Sequence, residues 1–399
     1  MNFQESERLK NLPIYVFARL DELKAQVVAR GEDLIDLGMG NPDLPVRAEV
    51  IKKAQEAMNV QKYLKYPAFD GLPEFREAAA KWVERTGGGK IDPKHEVIPL
   101  IGSKEGLVHF SFAFINPGDI TLMVKPAYPA HIRGTLLAGG TPMAMPLKNG
   151  SYLPDFSKID IDVAKKAKMM ILSYPSNPTA QVAPRSLFEE AVAFCKKYNI
   201  ILVHDYVYGE IYYEGEPPVS LMSIPGAKDI GIEFRTMSKV FSMAGFRVGY
   251  ATGNKQLLRS LIKLKTNLDY GLFMVNQLAA IEAFNITDAE LVEIRKIYQK
   301  RRDIFVDGIN ALGWKVAKPT ATFYVWLPIP EDFDTESFTM FLLDKAGIAV
   351  TPGTAFGDEG EGYVRVSMVQ SEARIKEALE RMKKIGISFP KSKTKVGAA

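Results

Sequence analysis

Four short runs of apolar, largely β-branched residues set the tightest limit on how this chain can fold: Ile120–Val124, Met169–Ser173, Ile200–His204 and Gly231–Thr236. They show little alternation between apolar and polar positions, so they are not strands with one face in water. Strands of that kind are buried on both faces, and helix-sized segments separate them. The pattern predicts an α/β fold with a mostly parallel central sheet sandwiched by helices.

Further along, Asp288–Leu312 reads as one long charged helix ended by Gly313. After it come a strand at Thr322–Leu327, a helix over 335–346, a strand at Gly362–Ser367 and a helix over 371–385, which together form a smaller α+β body. The tail Lys391–Ala399 is polar and unpatterned and is expected to be disordered.

Charge narrows the partners. Lys and Arg number 51 against 47 Asp and Glu, and the net +4 is too small for a nucleic-acid or membrane-surface protein of 399 residues. Small molecules are the expected partners. No apolar run reaches about 18 residues, which excludes a membrane-spanning helix, and Met1–Ser6 shows no secretory pattern, so a cytoplasmic location is expected. The one cysteine, Cys195, lies on the apolar face of a predicted helix and is read as a buried structural thiol.

In open α/β sheets ligands bind beyond the carboxyl ends of the strands, so candidate chemistry is sought there. Lys239 follows the strand Gly231–Thr236 directly, where desolvation lowers a lysine's pKa and favours Schiff-base chemistry. Ser238 flanks it, and Arg247, eight residues on, is a cation suited to phosphate. Asp205 and Tyr208 follow Ile200–His204; Asp205 either keeps a ring nitrogen protonated or caps the next element. Two prolines around Asn177 fix a loop after Met169–Ser173. Gly102-Ser103-Lys104-Glu105 reads as an anion-binding helix start or as a plain N-cap. Tyr128 could stack on a flat ring. Thr86–Ile91 has the wrong spacing for a phosphate loop, and His95, His109, His131 and His204 lack metal-ligand spacing, so no metal is assigned.

In order and spacing these elements resemble the fold type I, class I pyridoxal-phosphate aminotransferases, from the glycine loop Leu37–Asp43 to Arg365. The resemblance implies a large cofactor-binding domain over 46–285 and a small domain formed by both chain ends, 1–45 and 286–399. It implies that Lys239 carries the cofactor and moves a proton, that Asp205 pairs with the pyridinium nitrogen, and that Asn177 and Tyr208 bond the phenolic oxygen. Tyr128 would stack on the ring, while Ser103, Lys104, Ser238 and Arg247 hold the phosphate with Tyr66 from the partner of a homodimer. Tyr15, Gly40, Asn177 and Arg365 would bind substrate, Arg365 through the α-carboxylate.

Leu12–Phe17, Gly38–Asp43, Pro225–Asp229 and Pro175–Gln181 look like the branch that holds bacterial glutamate–pyruvate (alanine) and LL-diaminopimelate aminotransferases. Ala180 favours the alanine type, because the diaminopimelate enzymes more often carry glycine there. The expectation is therefore glutamate or alanine with pyruvate or 2-oxoglutarate. LL-diaminopimelate, aspartate or a broad aromatic and methionine range are the alternatives, and a β-lyase of the same fold type is a further one. A cofactor-binding transcription regulator would need a DNA-binding domain ahead of residue 38, where there is no room for it.

Overall fold

The computed structural model describes residues 3–13 and 16–390, without the side chains of 16–18; Tyr15 and the tail Lys391–Ala399 lie outside the described residues. After the short strand β1 (Ile35–Asp36), seven strands make the central sheet: β2 (Val97–Leu100), β3 (Ile120–Met123), β4 (Thr141–Ala144), β5 (Ala167–Leu172), β6 (Ile201–Asp205), β7 (Gly231–Thr236) and β8 (Gly249–Gly253). Their order is β2-β8-β7-β6-β5-β3-β4. The pairs from β4 across to β7 are parallel, and β8 runs antiparallel to both of its neighbours.

Successive residues of one strand enter different cores. Met169 and Ile171 pack with Leu107, Phe110 and Leu258, whereas Met170 and Leu172 pack with Phe188, Ala191 and Cys195. Helices thus cover both faces, which is why the sequence shows no alternation. Cys195 is fully buried in the helix Arg185–Tyr198, and burial pushes its thiol far up.

Beyond the helix Asp288–Ala311, three strands form a second sheet: β9 (Tyr324–Pro328), β11 (Thr351–Pro352) and β12 (Tyr363–Ser367), with β12 central. The strand β10 (Ile348–Ala349) pairs in parallel with β1, Ile35 facing Ile348. In this second sheet two strand starts differ from expectation, as β5 and β6 also do by a residue or two. Thr322 has φ +63°, and its Oγ1 accepts the Tyr324 N–H at 3.0 Å, so a turn precedes β9. Gly362 has φ +84°, and β12 begins one residue later. Among the described residues no helix is long and apolar enough to cross a membrane.

Candidate active site

A cavity of about 490 Å³ lies where β2, β3, β5, β6 and β7 end. Its wall gathers Gly40, Ser103, Lys104, Tyr128, Asn177, Asp205, Tyr208, Ser238, Lys239, Arg247 and Arg365 from segments far apart in sequence. Two expected residues are not there. Tyr15 is outside the described residues. Tyr66 is 80% exposed and stands apart from this wall, its ring 4.5 Å from that of Tyr270.

Asp205 is the last residue of β6, and the period of two sends it and His204 to opposite sides. His204 faces Glu233 at 3.0 Å and the Tyr174 carbonyl at 3.0 Å, deep in the core. Asp205 turns to the cavity, where Oδ2 lies 2.9 Å from His131 Nε2, while Oδ1 is buried with no hydrogen-bond partner. The carboxylate therefore does not cap the following turn. A buried carboxylate oxygen of this kind is costly unless something donates to it.

After β7, the Thr236 Oγ1 accepts the Ser238 N–H at 3.1 Å, a local turn that sets the chain direction into Lys239. The Lys239 ammonium donates to the Gly40 carbonyl at 2.8 Å, with the Tyr208 and Phe323 rings 5.6 and 5.5 Å away. Burial first, and then the charges of Arg365 and Arg247, hold its pKa below the ordinary lysine value, against the opposite pull of Tyr324 and Asp205.

Arg365 stands on the face of β12 opposite Val364 and Val366 and is buried. It donates to Asn177 Oδ1 at 2.7 Å and to the Gly38 carbonyl at 2.7 Å. The loops after β1 and β5 are thereby pinned to one guanidinium.

On the other side of the cavity Gly102 has φ +78° and precedes the helix Ser103–Phe114. A Cβ there would come within 2.5 Å of Arg247 Nη2, and a Cβ on Gly249 within 2.6 Å of the Ser103 N. Glycine at both places lets backbone N–H groups and Arg247 close on an anion. Gly102 is the N-cap and no side chain caps the helix, so the N-cap expectation fails; Glu105 instead accepts the Ile101 N–H at 2.9 Å, ahead of the helix.

An amine of depressed pKa, a carboxylate oxygen awaiting a donor and an anion cradle together fit pyridoxal phosphate. Residues 32–382 match the aminotransferase class I and II family. The chain belongs to that family. It is an aminotransferase that depends on pyridoxal phosphate, with the fold type I architecture. It is 45% identical to the LL-diaminopimelate aminotransferase of Moorella thermoacetica over 96% of this chain and 98% of that one. The LL-diaminopimelate aminotransferase of Halothermothrix orenii is 43% identical, over 97% and 100%. The substrate-bound BacF structure from Bacillus subtilis superposes with a TM-score of 0.94 at 36% identity, covering 98% of this chain and 100% of that one.

Several residues of the wall escaped the sequence reading. Behind the wall, His131, whose spacing in the sequence speaks only against a metal site, lies in the first turn of the helix Pro129–Leu137 and meets Asp205. Tyr324, which reads in the sequence only as part of an apolar strand, stands on the wall. Asp21, Met39, Asn41 and Thr236 also line the cavity. Elsewhere Glu105, His109 and Asp269 come together as metal ligands could, but Lys265 donates to Glu105 and Asp269 at 2.9 Å each, and its ammonium already supplies the cation there.

Proposed function

We propose that this chain moves an amino group between an α-amino acid and a 2-oxo acid with glutamate or alanine as donor and pyruvate or 2-oxoglutarate as acceptor. The observation that carries the choice is Ala180, which holds φ +57° in the loop after Asn177. Glycine adopts that conformation freely, and an L-residue there costs about 1–2 kcal/mol. Alanine at this position thus departs at a cost from the glycine more often found in diaminopimelate enzymes. A second reading, LL-diaminopimelate as donor, rests on relatives of that name at 43–45% identity over nearly the whole chain.

Pyridoxal phosphate, when bound, supplies an electron sink for the substrate's Cα–H bond. The residues of this chain do the rest. Lys239 binds the cofactor and, as a free amine, takes and returns the Cα proton. Asp205 keeps a proton on the ring nitrogen, and His131 orients that carboxylate. Asn177 and Tyr208 bond the phenolic oxygen, and Tyr128 packs on the ring face. Ser103, Lys104, Ser238 and Arg247 hold the phosphate. Arg365, fixed by Asn177 and Gly38, grips the substrate α-carboxylate, and Gly40 borders it.

The site is read as shared between two copies: exposed Tyr66 would reach the partner's phosphate, and dilution to monomers should release cofactor. An active monomer in sedimentation would refute that. We further read 46–285 as the cofactor domain and both chain ends as the small domain, supported by the pairing of β1 with β10. We place the enzyme in the cytoplasm.

The deciding experiment is a half-reaction panel that follows loss of the bound cofactor's visible absorbance with alanine, glutamate, aspartate, aromatic amino acids, methionine and LL-diaminopimelate. Fast reaction with alanine and glutamate is expected. Reaction with LL-diaminopimelate alone would replace the first reading by the second.

A further inference from the structure

Tyr324 opens β9 and forms part of the cavity wall. Its hydroxyl lies 2.8 Å from that of Tyr208, and both side chains are buried. The Arg365 guanidinium sits over the Tyr324 ring, 4.1 Å from its centre. A Cβ on Gly40 would overlap the Tyr324 phenol, so glycine at 40 is what admits that hydroxyl.

The titratable and charged groups that bear on Tyr324 are Tyr208, Lys239, Arg365 and Tyr298. Burial raises both phenols of the pair. For Tyr324 the Arg365 and Lys239 cations oppose burial and bring it below the ordinary tyrosine value, whereas Tyr208 stays well above it. Either hydroxyl could donate across this contact, so the count of protons decides the direction. Each phenol carries one proton. If Tyr208 spent its proton on Tyr324, it would have none for a ligand in the cavity.

We propose that Tyr324 is a positioning residue whose O–H donates to the Tyr208 oxygen and so turns the Tyr208 O–H toward the phenolic oxygen of bound pyridoxal phosphate. This rests on the role given to Tyr208 above. Two hydrogen bonds in series polarise one another, so the second is stronger than Tyr208 would make alone. The Arg365 stack holds the Tyr324 ring in place for it.

The test is a pH titration of the visible absorbance of the lysine-bound cofactor in wild type, Tyr208→Phe, Tyr324→Phe and the double variant, each as holoenzyme. Phenylalanine keeps both rings and the Arg365 stack. Losing the Tyr208 bond to an ionised oxygen should raise the midpoint by about 1–2 pH units. Tyr324→Phe should raise it by less, and the double variant should match Tyr208→Phe. A wild-type midpoint in Tyr324→Phe, with Tyr208→Phe shifted, would overturn the proposal and leave the role of Tyr208 standing. So would a Tyr324→Phe shift that adds in full on top of Tyr208→Phe. An unshifted Tyr208→Phe would overturn the role of Tyr208 and this proposal with it.

Discussion

His131 Nε2 lies 2.9 Å from Asp205 Oδ2, and each side chain is only 3% exposed. The contact fixes the carboxylate rotamer and leaves Oδ1 to meet a donor from the cavity. Asp205→Asn keeps the shape but removes the charge proposed to hold a proton on the ring nitrogen. Turnover per bound cofactor should fall about 100-fold or more, with cofactor content much less affected. If turnover fell only in proportion to lost cofactor, Asp205 would be a binding residue and no more.

Lys239→Ala should abolish transamination and the absorbance of the lysine-bound cofactor. The stability effect has a definite sign. Burial places the folded-state pKa of Lys239 below its unfolded value of 10.5, so protonation favours the unfolded chain. That penalty is absent above 10.5, grows as pH falls toward the folded pKa and is full below it. The cofactor-free variant should therefore melt no lower than cofactor-free wild type at neutral pH. A large drop in Tm would assign Lys239 a structural role.

How much of this was legible in the sequence follows from what a one-dimensional pattern can carry. The parallel strands β3, β5, β6 and β7 were readable because burial on both faces leaves an unbroken apolar run. β4 was not: it is Thr-Pro-Met-Ala at the sheet edge, where residues are half-buried or exposed and a proline is tolerated. β8, Gly249–Gly253, has two glycines and one large residue, and only its neighbours make it a strand. Asp205 and Lys239 were legible because each stands at or just past the end of a strand. His131 was not, since its meaning comes from a contact 74 positions away. Tyr324 hid in an apolar run, where hydropathy does not register a hydroxyl.

Acid stability should be governed by Glu233. This buried carboxylate accepts from His204 at 3.0 Å, Arg235 at 2.7 Å, Ser220 at 2.9 Å and the Leu221 N–H at 2.7 Å. Burial pushes its pKa up, but Arg235 and His204 outweigh burial and hold it down at about 2, against 4.5 ordinarily. The unfolded chain thus binds the proton first, and the stabilisation is whole above 4.5 and is lost as pH falls from there toward 2. The loss should be on the order of 3 kcal/mol. Urea unfolding at pH 7 and near pH 3, where roughly 2 kcal/mol of it should already be lost, measures it. Glu233→Gln should be less stable at pH 7 and lose less on acidification; an equal acid loss in both proteins would move the effect elsewhere.

Arg365→Lys tests what holds the substrate. The guanidinium donates to Asn177 Oδ1 and to the Gly38 carbonyl, with Thr351 Oγ1 3.3 Å away, and the residue is 3% exposed. An exposed strand arginine would contribute under about 1 kcal/mol, but this one is buried and joins two loops. A lysine offers one point charge where a planar fork can meet a carboxylate by two parallel bonds. It would also leave Asn177 or Gly38 without its donor. Since every α-amino acid carries the α-carboxylate, kcat/KM should fall for all donors together, by about 1.5–3 kcal/mol of lost charge-assisted bonding, or roughly 10- to 150-fold. Measuring alanine and glutamate side by side decides it. A fall confined to glutamate would place Arg365 at the distal carboxylate, and unchanged values for both would remove it from the substrate.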